Sequence, residues 1–566
     1  MVSKFIEGGK SMYNLLIGGA AGQGVETTVA MLEKLLKRSG YFVFTIRDFM
    51  SRVRGGHNFS VIRFGTEEIT SHTDKLDGII ALNDETVLVH KDDLNEGGFI
   101  LCDSSLTTTD ERAIKLDLDK LAKELGNIRV SGSIAIGAIL KLFGNNLDSV
   151  EEVLKASVKE SVVEVNHKAI EVGYGLVEQK FEHLDGGFKD YMVISGSEAL
   201  GLGAIAAGLQ FYSAYPMSPS TAVLEYIAGQ SEKAGIVVEQ AEDEIAGINM
   251  AIGASFAGAK AMTGTSGGGF CLKVEALGLS GIAEIPLVVV DVQRPGPATG
   301  LPTRTEQSDL KFVVSASQGE FPRMVIALRN HEDAFYQTAR ALYMAEKYQI
   351  PVIVLSDQYL GDSTATVKPY DFSKIEVANP ADPSEIEGEY LRYKITEDGI
   401  SPRLIPGKST HLVAADSDEH DEKGHIIESA EERIVMMDKR MRKLDKLVEE
   451  LQEPEFFGDK DCDTLLVGWG STYGPILDAV NQLTKAGKKY GALVFGDVFP
   501  LPEKLITEYS KKVKRIINIE QNATGQLGSL IMEATGIKCT DSILKYDGRQ
   551  ISGDEIVEKL AEGGLN

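Results

Sequence analysis

The sequence predicts a multidomain α/β protein, and three observations support this prediction. The chain has 566 residues, more than one hydrophobic core usually accommodates, so several domains are expected. Short β-rich runs alternate with helical stretches near both ends of the chain, which is the pattern of sheets covered by helices. In the middle of the chain, helices rich in Ala and Gly alternate with apolar strands. Each of these blocks therefore predicts an α/β layer of its own.

The first block covers residues 1–185. The run Asn14-Leu-Leu-Ile-Gly18 predicts a strand, which a glycine-rich turn connects to a helix from Val25 to Arg38. Further strands are predicted at 78–82 and 98–102, and a further helix at 133–143. This alternation predicts a parallel sheet with helices on both faces.

The second block covers residues 186–400 and begins after a break rich in Gly and Asp. Its predicted helices, at 198–209 and 243–259, contain many small residues, which suit a tightly packed layer or a subunit interface. Strands are predicted at 236–240 and 286–291. The last block, 461–566, returns to strand–helix alternation with strands at 464–468, 491–495 and 515–519.

Residues 401–460 have a different texture, a polar acidic loop followed by apolar residues at spacings of three and four. This spacing predicts one amphipathic helix between Ile434 and Leu451. Its basic residues are predicted to form a solvated helix face: Lys439, Arg440, Arg442, Lys443 and Lys446.

Composition excludes several classes of function. With 84 acidic and 58 basic residues, the net charge of -26 repels a phosphate backbone, so no nucleic-acid partner is expected. Apolar runs are shorter than the ~20 residues of a membrane helix, so no membrane partner is expected and the chain is predicted to be cytoplasmic. The four cysteines lie far apart and are predicted to be buried free thiols, with no metal site in this chain.

The first glycine-rich loop, Gly18 to Gly24, lies between a predicted strand and a predicted helix. The N–H groups of a helix N-terminus can bind an anion. The dinucleotide fingerprint fails here because Thr27 stands where its third glycine would be, and no P-loop Lys follows. Two interpretations remain: Gly22, Gln23 and Gly24 bind a phosphate-containing ligand, or they form only a tight turn.

The second block contains four further segments that could carry chemistry. The first could be only a stiff turn, and the second only a partner of the helix dipole. The third suits a close approach of backbones, and the fourth is a restrained loop whose guanidinium groups suit bidentate binding of a carboxylate. The segments are Tyr215-Pro-Met-Ser-Pro-Ser-Thr221, Gln240-Ala-Glu-Asp-Glu244, Thr265-Ser-Gly-Gly-Gly-Phe270, and the loop from Gln293 to Glu306 with Arg294 and Arg304.

Together and in this order, these segments resemble the α chain of the 2-oxoacid:ferredoxin oxidoreductases, in the variant with the γ chain fused in front. Residues 215–310 match the family's Tyr-Pro-x-Thr-Pro-Ser-Thr motif, its Glu-x-Glu-Ile-Ala helix start and its Gln-Arg-x-Gly-Pro-x-Thr-Gly-Leu-Pro-Thr loop. Gly18 to Gly24 resembles the γ signature, and Glu520 to Leu527 resembles part of the family's C-terminal α/β domain. The resemblance covers nearly the whole chain.

The resemblance implies the fold and division of the chain. A γ-like α/β domain over 1–185 would be followed by a pyrimidine-binding domain for thiamine diphosphate over 186–400. A linker made of the polar loop and amphipathic helix would occupy 401–460, and a transketolase C-terminal-like α/β domain would occupy 461–566.

The resemblance also implies the reaction. Such an enzyme oxidatively decarboxylates a 2-oxoacid with coenzyme A, giving acyl-CoA, CO2 and reduced ferredoxin. The long fused form is most similar to 2-oxoglutarate enzymes, while pyruvate and branched-chain 2-oxoacids remain alternatives. A separate β subunit would hold the diphosphate, Mg²⁺ and a [4Fe–4S] cluster, so the chain is expected in at least a heterodimer.

Site roles follow from the same resemblance. Glu244 would face the pyrimidine ring of thiamine diphosphate, with Glu242 as the alternative, and Tyr215 and Pro216 would line the cofactor. Arg294 would bind the substrate carboxylate, with Ser218 and Thr303 as hydrogen-bond donors to the substrate. Position 218 departs from the family, which usually has Thr there. Gly22, Gln23 and Gly24 form the candidate phosphate or coenzyme A loop.

Two other classes of function compete with this one. A nicotinamide-dependent dehydrogenase would use the first block, but the glycine spacing argues against it. A non-catalytic assembly subunit would have no need to keep Glu244, Arg294 and the proline-restrained hydroxyl together.

Overall fold

The computed structural model describes residues 11–50 and 56–563. The chain divides into two compact units. The first contains the described residues up to Ile194 with two short segments, Ser363–Pro369 and Ser552–Asp554. The second contains Ser195–Asp362, Tyr370–Ile551 and the described residues from Glu555 onward. Within the described residues, no helix is both long enough and apolar enough to cross a membrane.

The N-terminal part of the chain alternates strands and helices. The elements are β1 (Met12–Ala20), α1 (Val25–Arg38), β2 (Phe42–Asp48), β3 (His57–Gly65), β4 (Leu76–Ala81), α2 (Asp84–His90), β5 (Leu94–Asp103), β6 (Ala113–Leu116), α3 (Leu118–Glu124), α4 (Ser131–Leu142), α5 (Val150–Ser157), α6 (Val163–Tyr174) and β7 (Met192–Ser195).

The middle of the chain continues the alternation. The elements are α7 (Gly196–Ala206), β8 (Phe211–Ala214), α8 (Thr221–Ala234), β9 (Val237–Gln240), α9 (Glu244–Phe256), β10 (Ala261–Thr265), α10 (Gly267–Ile282), β11 (Leu287–Gln293), α11 (Leu310–Val314), β12 (Met324–Ala327), α12 (His331–Tyr348), β13 (Pro351–Asp357), α13 (Gln358–Asp362) and β14 (Thr364–Val367).

The C-terminal part begins with two helices and then returns to strand–helix alternation. The elements are α14 (Ala430–Met441), α15 (Lys443–Glu449), β15 (Glu455–Gly458), β16 (Thr464–Trp469), α16 (Tyr473–Lys485), β17 (Tyr490–Phe495), β18 (Asp497–Phe499), α17 (Lys504–Ser510), β19 (Arg515–Glu520), α18 (Gln526–Thr535), β20 (Asp541–Leu544) and α19 (Gly553–Glu562). Short 3-10 turns lie at Lys91–Asp93, Ile128–Val130, Glu160–Val162, Phe372–Lys374, Pro383–Glu385 and Gly470–Thr472.

The sheet of the first unit corrects the predicted topology. Its strand order is β6-β5-β4-β1-β3-β2-β14-β7, and β4, β5 and β6 run parallel to β1 as predicted. However, β3 pairs antiparallel with both β1 and β2, so the sheet is mixed. The antiparallel strand β3 lies in a stretch where no strand was predicted.

The second unit contains two sheets. The first has the order β18-β12-β13-β11-β10-β8-β9, and β9, β8, β10, β11, β13 and β12 are parallel to one another. Its central strand β11 is buried along its whole length, which explains its continuous apolar run. The second sheet has the order β15-β17-β16-β19-β20. The multidomain α/β prediction is confirmed.

The region between these two sheets differs from the prediction in two respects. The expected single amphipathic helix consists of two helices, α14 and α15, which meet at Arg442. The basic residues are not a solvated face, because Lys439 and Lys443 are fully buried and both contact Glu284 at 2.6 Å. The apolar residue Ile434, by contrast, is largely exposed.

The cysteines also differ from the prediction in part. All four are free thiols, as expected, and Cys102 and Cys462 are buried. Cys271, however, is exposed and Cys539 is half-buried.

Candidate functional site

The four sequence segments singled out in the second block follow four neighbouring strands of one parallel sheet. Tyr215 follows β8, Glu244 begins the helix after β9, Ser266 follows β10 and Arg294 follows β11. These strands are adjacent in the order β11-β10-β8-β9. Because the carboxyl ends of parallel strands meet at one edge, the topology brings all four segments to the same place.

The glycine turn that opens α10 is the point where the segments make contact. The three residues Gly267, Gly268 and Gly269 lack the Cβ that any other residue would carry. A Cβ at Gly267 would collide with the carboxylate of Asp309, and one at Gly269 would collide with Glu244 Oε1 at 2.7 Å. A Cβ at Gly268 would touch Met217 at 3.5 Å and the carbonyl oxygen of Ala298 at 3.4 Å. The absence of Cβ atoms therefore lets Asp309, Met217 and Glu244 approach the backbone of this turn closely.

Glu244 is held at the start of α9 with its side chain largely buried. Asp243 caps this helix by accepting a 2.8 Å bond from Ala246 N, which fixes where the helix begins. Glu244 is 6% exposed; within the part of the chain that the structure describes no group donates to its carboxylate, and its oxygens still reach solvent. Glu242 is exposed instead. Glu244 thus offers a largely buried, unpaired acceptor at a helix N-terminus.

Lys273 supports Glu244 from the next helix, α10. Its fully buried ammonium donates to the backbone carbonyl of Glu244 at 3.2 Å and to Thr263 Oγ1 at 2.9 Å. Burial lowers the pKa of Lys273 to about 8, against the opposing effect of Glu244 and Asp243.

Arg294 is nearly buried and has most of its donors free. It is 9% exposed, and Nη1 donates to the carbonyl oxygen of Ser218 at 2.6 Å. Among the described residues it forms no ion pair. A guanidinium with unpaired donors in a protected position suits bidentate binding of a carboxylate.

The remaining predicted residues lie on the two loops around Arg294. Tyr215 and Ser218 are exposed and Pro216 is half-buried, and the Ser218–Pro219 peptide bond is cis. The structure joins Ser218 to Arg294 through the bond described above. Thr303 is half-buried in the loop after β11, and its carbonyl oxygen accepts a 3.3 Å bond from Arg304.

The C-terminal sheet anchors the end of that loop. Gln307 donates its N–H to Gln521 O at 2.7 Å and its side-chain amide to Trp469 O at 2.8 Å. Asn522 donates to Gln307 O at 3.0 Å, and Gln526 donates to Ser308 O at 2.8 Å. The segment from Glu520 to Leu527 therefore holds the residues that lead into Asp309.

Known proteins identify the family. The chain is 32% identical to the α subunit of a 2-oxoacid:ferredoxin oxidoreductase from a Sulfolobus species, and the match covers 96% of each chain. The chain belongs to the family of 2-oxoacid:ferredoxin oxidoreductase α subunits. It is 31% identical to the 2-oxoglutarate synthase subunit KorA of Methanothermobacter marburgensis, over 65% of this chain and 97% of that protein.

Family models and a solved structure agree with this assignment. Residues 202–439 match the thiamine diphosphate-binding family of pyruvate flavodoxin/ferredoxin oxidoreductases, 14–176 match the pyruvate ferredoxin/flavodoxin oxidoreductase family, and 462–556 match its core domain II. The fold is similar to the 2-oxoglutarate:ferredoxin oxidoreductase of Magnetococcus marinus, solved with 2-oxoglutarate, coenzyme A and succinyl-CoA bound. The TM-score is 0.92 at 33% identity, over 98% of this chain and 99% of that one.

The first unit of this α subunit contains a separate cavity of about 600 Å³ beside the first glycine loop. Gly22 and Gly24 have positive φ, and a Cβ on either would meet nothing within 4 Å, so the backbone is open there. The side-chain amide of Gln23 instead stabilises the turn, because it accepts from Ala20 N at 2.6 Å and donates to Leu82 O at 3.1 Å. Arg129 and Lys159 also line the cavity.

Sequence reasoning missed two polar residues of the candidate site, Asp291 and Asp309, whereas Ser266 lies in a segment that it singled out. Both carboxylate oxygens of Asp291, Asp309 Oδ2 and Ser266 Oγ are buried without a hydrogen-bond partner among the described residues. The sequence contained one signal for Asp291, which directly follows the apolar run of β11. A buried strand rarely contains an acidic residue, so this residue is a candidate for a functional role.

Proposed function

We propose that this chain is the catalytic α subunit, with a γ-like part fused in front, of an enzyme that converts 2-oxoglutarate and coenzyme A to succinyl-CoA, CO2 and reduced ferredoxin. The observation that carries the proposal is that two charged side chains without ion-pair partners in the described part of the chain, Glu244 and Arg294, lie at the same edge of the parallel sheet. The relatives named for 2-oxoglutarate support this choice of substrate.

The residues present fit the pyrimidine half of thiamine diphosphate. The glycine turn forms a cradle that a Cβ would fill, and the carboxylate of Glu244 borders it. When bound, thiamine diphosphate supplies the carbon that adds to the 2-oxo group and takes up the electron pair released with CO2. A flat, largely apolar ring with one N–H donor would satisfy the carboxylate.

Glu244 acts on the cofactor by holding a proton. We assign its carboxylate to the acceptor position opposite the pyrimidine N1′, where a charge-assisted hydrogen bond favours the tautomer that can act as a base. A ring bound here would exclude water from the carboxylate, which would strengthen this bond. Tyr215 and Pro216 are assigned to the rim of the cofactor site.

Arg294 orients the substrate. Its free N–H groups bind the carboxylate next to the 2-oxo carbon, while its bond to Ser218 O holds the guanidinium in place. The hydroxyls of Ser218 and Thr303 are assigned as donors to the substrate. Arg294 thereby orients the bond between this carboxylate and the 2-oxo carbon for loss of CO2.

A dicarboxylate needs a second cation, for which this chain offers Arg304 in the same loop. Replacing Arg304 by Met is expected to raise KM for 2-oxoglutarate about tenfold and to leave KM for pyruvate unchanged. If KM for both substrates stays constant, the distal carboxylate is bound elsewhere. Pyruvate and branched-chain 2-oxoacids are the alternative substrates.

We further propose a β subunit as partner, which supplies the diphosphate and Mg²⁺ site and a [4Fe–4S] cluster that passes electrons to ferredoxin. Large apolar side chains are exposed on the segments that build the site, which is typical of an interface: Tyr215, Ile245, Leu272 and Leu301. The complex is thus at least a heterodimer.

Coenzyme A is assigned to the cavity of the first unit. Its phosphates would lie on the open backbone of Gly22 and Gly24, at the N-terminus of α1, with Arg129 and Lys159 as cations at the wall. Gln23 would keep the turn in shape.

The test is an anaerobic assay of the complex purified through this chain. Reduction of ferredoxin or a viologen dye should require both a 2-oxoacid and coenzyme A, with 2-oxoglutarate giving the highest kcat/KM. A complex that contains thiamine diphosphate and iron–sulfur centres but reduces nothing with any 2-oxoacid would contradict the reaction. A Glu244→Gln variant that assembles and keeps full activity would indicate a non-catalytic assembly subunit.

A further inference from the structure

Two carboxylates near Arg294 have no role in the function proposed above: that of Asp291, which is buried, and that of Asp309, a half-buried residue whose Oδ2 alone is buried. Asp291 lies in β11, is fully buried, and neither of its oxygens has a hydrogen-bond partner among the described residues. Asp309 lies at the end of the loop that starts with Arg294, and its Oδ2 is likewise buried and unpartnered. Two carboxylates without donors are costly in a folded protein unless something else compensates.

The position of Asp309 is fixed by its surroundings. Its backbone N–H donates to Gln293 Oε1 at 3.1 Å, and its carboxylate lies against Gly267 at the start of α10. The preceding residues are held by the C-terminal sheet through Gln307 and Ser308, as described above. Asp309 is therefore built into the site and does not belong to a mobile loop.

The charged and titratable groups around Asp309 come from each element packed against it. Arg294 attracts its charge and Glu306 repels it, while Asp291 and the thiol of Cys271 in α10 lie close enough to interact with it electrostatically. No ion pair joins Asp309 to Arg294 within the described residues. Arg294 and Asp309 therefore interact electrostatically without forming an ion pair.

Burial and the charge of Glu306 raise the pKa of Asp309 to about 7, with Arg294 opposing the shift. Burial and the neighbouring Asp309 raise the pKa of Asp291 well above its usual value. The protonated form of Asp291 is therefore favoured, and Asp309 is the member of the pair that can change its charge near neutral pH.

We propose that Asp309 sets the charge of the Arg294 pocket, by taking up one proton from solvent when a 2-oxoacid carboxylate binds to Arg294. Asp309 acts as a positioning residue, since it works through Arg294 and the local field. The inference rests on the proposed function, because it takes Arg294 as the site of the substrate carboxylate.

The physical reason is repulsion between two carboxylates that share one cation. An incoming carboxylate adds a negative charge beside Asp309, and a proton on an Asp309 oxygen removes the conflict. Binding and protonation are then linked: affinity falls as pH rises, by up to about tenfold per pH unit above the pKa of free Asp309. When CO2 leaves, the pocket loses the added charge and the proton can return to solvent.

The experiment measures binding without turnover. The native complex loaded with thiamine diphosphate is titrated with 2-hydroxyglutarate and with lactate. Both have a hydroxyl in place of the 2-oxo group and so cannot be decarboxylated by this route. Isothermal titration calorimetry at pH 7.5 in buffers of different ionisation enthalpy reports the number of protons taken up. We expect uptake of a substantial fraction of one proton, and Kd that rises with pH.

Three variants sharpen the test. Asp309→Asn should abolish proton uptake and flatten the pH dependence of Kd. Glu306→Gln should only shift that dependence to lower pH, because it removes one of the charges that hold the proton on Asp309. Asp291→Asn should leave uptake unchanged, since a neutral amide replaces a neutral acid.

The outcomes separate the two proposals. If 2-hydroxyglutarate and lactate do not bind to the wild-type complex at any pH, the carboxylate site at Arg294 is wrong and the inference fails with it. If one of them binds in an Arg294-dependent manner but without proton uptake, the proposed function stands and the role of Asp309 is refuted. If Asp309→Asn does not fold, an unshifted pH profile in Glu306→Gln would refute that role on its own.

Discussion

Two clusters of buried charge in the second unit make an instructive contrast. Around Glu284, Lys439 and Lys443 each contact the carboxylate at 2.6 Å, and Arg392 donates to the Glu284 carbonyl at 2.7 Å. Around the glycine turn, Asp291 is fully buried and Glu244 and Arg294 are nearly so, yet none of the three has an ion-pair partner among the described residues. The first cluster is complete within the chain, whereas the second leaves charges for a cofactor and a substrate to satisfy.

This difference follows from where the charges lie. Glu284 precedes the parallel strand β11, away from the carboxyl edge, and its partners come from α14, α15 and a neighbouring loop. The unpaired groups all follow or end the parallel strands, where ligands bind in open α/β sheets. Burial alone therefore does not mark a functional charge, but burial without a partner at this edge does.

The largest expected effect is a loss of activity when the carboxylate of the cluster at the glycine turn, Glu244, is replaced. Glu244→Gln should lower kcat by about 100-fold or more, because an amide cannot hold the cofactor proton as a carboxylate does. The complex should still assemble and keep its mass on gel filtration. Glu242→Gln is the matched control and should keep its activity, since Glu242 is exposed. Equal losses in both variants would contradict the assignment.

The second prediction concerns stability. Glu284→Gln should lower the free energy of unfolding by about 3–5 kcal/mol, because two buried lysines lose their counter-charge. Urea unfolding of the complex measures this loss. Glu164→Gln, which removes an exposed ion pair with Lys168, should leave stability nearly unchanged. Activity per folded molecule should survive in both variants.

That contribution of Glu284 should also depend on pH. Lys443 and Lys439 hold the pKa of this carboxyl well below its usual range. A depressed pKa in the folded state means that the stabilisation is full above the unfolded pKa of about 4.3 and is lost as pH falls below it. The stability difference between wild type and Glu284→Gln should therefore shrink below pH 4.

A third prediction tests the geometry of carboxylate binding. Arg294→Lys keeps the charge but loses the planar fork and its bond to Ser218 O, so KM for the 2-oxoacid should rise about tenfold. The change in kcat should be smaller. Steady-state kinetics at saturating coenzyme A give both parameters. An unchanged KM would place the substrate carboxylate on another group.

The smallest expected effect concerns Asp291. Because its pKa is raised in the folded protein, the unfolded chain ionises first as pH rises above about 4, and stability is lost progressively toward the folded pKa. Asp291→Asn removes this loss. The melting temperature of the variant relative to wild type should be higher at pH 8 than at pH 5, by a few degrees. A pH-independent difference would mean that Asp291 is ionised.

Sequence patterns predicted those parts of the fold in which local signals and packing agree. The helix from Val25 to Arg38 has the predicted bounds, because left-handed Gly24 precedes it and its apolar residues face the core. The apolar run of β11 identified a buried parallel strand. Antiparallel β3 was missed, because its pairing with β1 and β2 depends on contacts that no local pattern specifies.

The prediction of a single amphipathic helix, where the structure has α14 and α15, failed because the apolar pattern was misleading. Periodicity assumes that apolar residues face inward, yet here Lys439 and Lys443 are buried on Glu284 while Ile434 and Val448 are exposed. The partner Glu284 lies 155 residues earlier in the sequence than Lys439. For the site, motif resemblance supplied Glu244 and Arg294. Asp309 was missed because its importance depends on contacts with Gly267 and with the C-terminal sheet.

The most direct test of this contrast is a structure of the native complex with thiamine diphosphate and 2-hydroxyglutarate bound. We expect Glu244 to lie within hydrogen-bond distance of a pyrimidine nitrogen and Arg294 to bind a carboxylate of the ligand, so that both charges become paired. A cofactor or ligand bound elsewhere, with Glu244 and Arg294 still unpaired, would contradict it.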